Sequence, residues 1–97
     1  MIITFGDADT ERFVVSGKNK FSGLDPDLAD ERLANLDAIS DLRDISPLKS
    51  VGLHKLTGDL AGFWSLNLND QWRLVFTFEA GNAYDVKIMD THKKKKH

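Results

Sequence analysis

Residues 64–88, WSLNLNDQWRLVFTFEAGNAYDVKI, decide the fold. Trp64, Leu66 and Leu68 alternate with Ser65 and Asn67, Asn69-Asp70 supplies turn chemistry, and Trp72, Leu74, Phe76 and Phe78 then alternate with Arg73 and Thr77. A period of two over this length means a hairpin with one apolar and one polar face. Ala80-Gly81-Asn82 makes a second turn, after which Tyr84, Val86 and Ile88 extend the apolar face while Asp85 and Lys87 point the other way. The stretch is therefore a three-stranded antiparallel meander. Both tryptophans fall in the apolar register and read as core.

Upstream the period is helical. Ile2, Ile3 and Phe5 suggest a short opening strand; Asp7 and Asp9 are alternative N-caps for a short helix through Arg12, Phe13 and Val14 that Gly17 ends. Residues 18–23 form a loop. Asp25-Pro26 starts a second helix, because Asp accepts from orphan N–H groups, Pro fits the first helical position, and Asp27 and Asp30 suit the positive dipole end. Ala29, Leu33 and Leu36 share one stripe, with Leu28, Ile39 and Leu42 near its edges, the spacing for packing on a sheet. Pro47 ends any continuation. Two early helices and a late meander predict an α+β fold, the helices covering one face of a small, mostly antiparallel sheet.

Composition bounds the function. Ninety-seven residues, 41% apolar and 29% charged, suit one domain spanning residues 1–92, with 93–97 a like-charge basic tail expected to be disordered. No apolar run reaches the roughly 18 residues of a membrane span, and the start MIITFGDADT lacks the features of a signal peptide, so a cytoplasmic location is expected and no membrane partner. Cysteine is absent, and three histidines far apart in sequence make a poor metal set. The net charge of −2 is divided unevenly: residues 1–50 hold 10 acids and 6 bases, residues 51–97 hold 5 acids and 7 bases. The basic half is also the half with His54, Arg73, Asp90 and His92, groups able to move protons and neutralise an anion.

The string LHKLTGDLAGFWSLNLNDQWRLVFTF, followed by GNAYDV and DTH, resembles the HigB branch of the RelE superfamily, toxins of type II toxin–antitoxin modules. The ADTE and ERLANLDA segments resemble that family's two helices. This resemblance implies a RelE-like fold, ribosome-dependent endonucleolytic cleavage of mRNA in the decoding site, and neutralisation by a helix-turn-helix antitoxin of the HigA type, with operator DNA reached only through the antitoxin complex. No cofactor is implied. It also carries His54, Arg73, Asp90 and His92 into the active site.

Metal-free RNA cleavage needs a base for the 2′-OH, a cation or donors for the phosphorane, and an acid for the 5′-oxygen. Arg73 is permanently charged and suits the scissile phosphate; His54 and His92 suit proton transfer or phosphate contact; Asp90 suits a base or an orienting carboxylate. Lys55, Thr91, Lys93 and Lys94 are expected RNA contacts. Two departures from the family stand out: Thr91 where relatives carry tyrosine, and Thr57 where many are basic, so that Lys55 becomes the substitute phosphate contact. The Thr91 departure also motivates an alternative, a catalytically weak or inactive module that binds ribosome or antitoxin and acts in operon autoregulation.

A purely structural account exists for each residue. His54 is then a surface turn histidine, His92 a solvated one, and Arg73 a cross-strand partner of Asp85, a contact worth little at a surface. Strict alternation also puts Asp90 and His92 on the apolar parity and Arg73 on the polar one. Convergence therefore needs a bulge, a twist or a strand end near Met89.

Overall fold

Two capped helices precede a four-stranded sheet in the computed structural model, which describes residues 1–45, 52–69 and 71–90. The first helix, α1, spans Ala8–Ser16. Asp7, not Asp9, caps it, its carboxylate accepting from Thr10 N at 2.8 Å, and Gly17 closes it in the left-handed region at φ 79°. Helix α2 spans Pro26–Ala38, with Pro26 in the first position and the Asp25 carboxylate accepting from Asp27 N and Leu28 N. Its stripe is the expected one, Ala29, Leu33 and Leu36 all being buried. Ile39 instead leaves the helix in an extended conformation, and Leu42 enters a separate 3₁₀ turn, Leu42–Asp44. Pro47 lies outside the described residues. No helix among those described is long and apolar enough to cross a membrane.

The strands are β1 (His54–Lys55), β2 (Trp64–Asn67), β3 (Trp72–Glu79) and β4 (Asn82–Asp90), antiparallel in the order β1-β2-β3-β4. The expected meander is β2 to β4; the two-residue β1 adds an edge through the pairs His54 with Ser65 and Lys55 with Trp64. Ala80 and Gly81 both have positive φ, 52° and 84°, and form a two-residue turn of the type that matches strand twist, so Asn82 already belongs to β4. The expected opening strand is an extended segment running parallel to β4, with isolated bridges from Ile2 to Ala83 and Phe5 to Val86. Its hydrogen bonds, such as Ile3 N to Ala83 O and Gly6 N to Val86 O at 2.8 Å, cover what would be an open edge.

Register corrects one expectation. Val75 pairs with Lys87 but Thr77 pairs with Tyr84, so β3 advances two residues while β4 advances three. Asp85 and Val86 therefore face Phe76 together in a β-bulge, with Asp85 at φ 53°, and the N–H of Asp85 is satisfied by Thr4 Oγ1 at 2.8 Å. The extra residue shifts parity, which puts fully buried Ala83 on the apolar face and half-buried Tyr84 on the polar face.

The core sits between that apolar face and the helices. Leu66, Leu74, Phe76, Ala83, Val86 and Ile88 pack with Phe13 of α1 and Ala29, Leu33 and Leu36 of α2. Trp64 and Trp72 lie half-buried at its margin, and Trp72 Nε1 donates to Ser22 O at 2.9 Å. The only buried hydroxyl of α1, Thr10 Oγ1, accepts from Ile88 N at 2.9 Å and ties helix to strand.

Candidate active site

The opposite face is built from the polar positions of the same strands. Antiparallel register lines up His54, Ser65, Val75 and Lys87 in one row across the sheet, and Asn67, Arg73 and Met89 in the next. His54 and Arg73 thus share a face, and Ser65 touches both: it is the strand partner of His54, and its Oγ accepts from Arg73 Nη1 at 3.3 Å. The same Nη1 donates to Asn67 Oδ1. Asn67 is in turn backed by Gly52, at φ 56°, where a Cβ would overlap the Asn67 amide. Ser65 and Val75 are fully buried, although Val75 lies outside the main cluster. Arg73 is therefore seated on a packed floor.

Its hydrogen bonds go to neutral oxygens, and among the described residues it has no carboxylate partner. The ion pair with Asp85 does not form; Arg73 sits opposite Met89. A guanidinium held by a hydroxyl and an amide keeps its whole charge, and its remaining N–H groups, for an anion.

His54 is exposed, and its Nδ1 lies 3.1 Å from the Gly52 carbonyl oxygen. A carbonyl only accepts, so in the neutral ring the bond assigns the proton to Nδ1. Nε2 is left as the acceptor, the state a general base needs.

The other expected residues fall elsewhere. Lys55 pairs with Trp64 on the opposite parity, its Nζ 5.5 Å from the Trp64 ring centroid. Asp90 ends β4 opposite Trp72, half-buried, on the parity of Val86 and Ile88. The bulge at Asp85 precedes Ile88 and so does not turn Asp90 towards Arg73. Thr91, His92, Lys93 and Lys94 lie outside the described residues. Ser65, Asn67 and Lys87, which the geometry adds to the face, stand at polar positions of the alternating pattern around Arg73; that pattern is the signal for them. No group of three or more His, Cys, Asp or Glu side chains gathers in a metal-binding arrangement among the described residues.

A two-helix layer on one face of a small antiparallel sheet is the α+β fold expected of a RelE-like toxin. Residues 3–92 match the family described as the RelE-like toxin of type II toxin–antitoxin system HigB, and the chain belongs to that family. It is also similar to Endoribonuclease HigB of Proteus vulgaris, 32% identical over 82 residues, which cover 84% of this chain and 85% of the relative.

Proposed function

We propose that the chain is an endoribonuclease toxin that cuts mRNA on the ribosome, in the decoding site, and is neutralised by a helix-turn-helix antitoxin of the HigA type. Family membership and the likeness to an endoribonuclease support RNA cleavage and an antitoxin partner. The observation that carries the reading is Arg73, seated by Ser65 and Asn67 without a carboxylate partner, on the same face as a histidine whose Nε2 is free to accept. In the proposed reaction His54 takes the 2′-OH proton, the oxygen attacks the adjacent phosphorus, Arg73 neutralises the phosphorane oxygens, and the 5′-oxygen leaves with a proton from His92. A 2′,3′-cyclic phosphate and a 5′-hydroxyl result. No step calls for a metal, and Asp90, at the end of β4 on the parity of Val86 and Ile88, takes no part in these steps.

Exposure supports ribosome dependence. His54 is exposed and Arg73 half-buried on a sheet face, so the described residues do not enclose a nucleotide, and we infer that in-line geometry is supplied by a second surface. The decoding site supplies it, which fits a cytoplasmic location.

Primer extension on ribosomes programmed with a defined message tests this. Wild type should leave a new 5′ end in the decoding site and cut the same free RNA poorly; Arg73→Ala and His92→Ala should abolish the cut and relieve growth arrest while remaining folded. Ribosome binding without a cut by wild type would favour the binding-module reading, which rests on Thr91 in place of the family's tyrosine.

A further inference from the structure

We infer that Lys87 is a second phosphate-binding cation of the open face, held over the Phe63 ring so that it grips the message phosphate next to the one at Arg73. This inference rests on the reading of the chain as an RNA-cutting enzyme, and it names a contact that the sequence pattern passes over as one more solvated lysine.

Three features set Lys87 apart from such a lysine. The first is place. Lys87 pairs with Val75 and stands one row from the Arg73–Met89 pair, which makes Lys87 and Arg73 diagonal cross-strand neighbours on one face, their backbones about 7–8 Å apart. The second is seating. Its Nζ lies 5.4 Å from the Phe63 ring centroid, and its stem runs against the backbone of the parallel N-terminal segment, where a Cβ on Gly6 would come within 3.0 Å of Lys87 Cδ. A ring face and a glycine groove hold the ammonium at low entropic cost without neutralising it. The third is charge. Among the described residues Lys87 pairs with no carboxylate, and neither does Arg73. Two cations on one face, each held by neutral groups, keep their charge for an anion; consecutive phosphates of a single strand are such an anion.

The bulge explains why the pair exists. Without the extra residue at Asp85, the alternation set by Ala83 would place residue 87 on the helix-covered face. Phe63 has the matching position on the other side, directly before Trp64 and therefore on the polar face of β2.

The experiment measures binding to ribosomes programmed with a message 2′-O-methylated at the decoding-site codon, which blocks 2′-OH attack, over a series of salt concentrations. Wild type, Lys87→Gln, Lys87→Arg, Phe63→Leu and Arg73→Gln are compared, with thermal melts to show that each is folded. Lys87→Gln should flatten the slope of log affinity against log salt by roughly 0.7, the value of one single-strand phosphate contact, and Lys87→Arg should restore it. Phe63→Leu should keep the slope and weaken binding about two- to fivefold. An unchanged slope for folded Lys87→Gln, beside a flattened slope for Arg73→Gln, overturns the inference and leaves the endoribonuclease reading standing. A Lys87 effect that persists on ribosomes without message also overturns it, by moving the contact to ribosomal RNA. Wild type that neither binds programmed ribosomes nor cuts their message overturns both.

Discussion

The two faces of the sheet come from alternate residues of the same strands, yet they do opposite work. Leu66, Leu74, Phe76 and Ile88 turn to the helices and are buried in one cluster, where fit matters and chemistry does not. Ser65, Asn67, Arg73 and Lys87 turn away, and there a few polar contacts fix where charge sits. On the proposed reading, strand alternation separates stability from activity within a single element. A substitution one residue along β3 should change which of the two is lost.

Phe76→Ala should have the largest effect, a loss of about 3–5 kcal/mol from a large side chain that is fully buried, read as a lower urea or thermal midpoint. Toxicity would fall only through the loss of folded protein. Arg73→Ala should show the reverse: cleavage on programmed ribosomes slower by roughly 10²–10³-fold, as for other removed charge-stabilising donors, with the unfolding midpoint near wild type. If Arg73→Ala instead unfolds the chain while keeping its specific activity, the division of labour between the faces is wrong. Thr10→Val sharpens the helix side. It keeps the shape but takes the acceptor from the buried Ile88 N–H, for an expected loss of about 1–3 kcal/mol that Thr10→Ser should largely avoid.

The smallest effect belongs to an exposed pair on neither face. Arg43 donates to the Asp41 carboxylate at 2.8 Å, and its side-chain and backbone hydrogen bonds lower the Asp41 pKa from 3.8 to about 2, the side-chain bond most. A carboxyl depressed in the folded state stabilises above its unfolded pKa and ceases to as pH falls towards 2. Thermal melts of Asp41→Asn should therefore fall slightly below wild type at neutral pH and coincide with it near pH 2.

Much of the apolar face is legible in the sequence, since period two and period 3.6 are both imprinted by burial: the stripe Ala29, Leu33, Leu36 and the run Leu66, Leu74, Phe76 need no tertiary information. The cap at Asp25 is local chemistry and equally readable, whereas at α1 the sequence leaves Asp7 and Asp9 as alternatives and at the second turn it includes Asn82, which belongs to β4. Tyr84 is where reading along the strand misleads. The bulge depends on Asp85 adopting a left-handed conformation that Thr4, some eighty residues away, stabilises, and no local residue pattern announces it. For the site, the joining of His54 and Arg73 becomes visible only once β1 is seen to pair with β2, because a strand of two residues has no periodicity of its own. Lys55 illustrates the cost: expected in the site as a substitute for the basic residue that many relatives carry at position 57, it is put by the pleat on the side opposite His54.

The parallel pairing of the first six residues with β4 has a consequence for how the molecule comes into being. Among the described residues the opening segment has no strand to pair with until Ala83 and Val86 have been synthesised, so this edge of the sheet closes late in synthesis. A nascent chain therefore stays topologically unfinished until its translation is almost over.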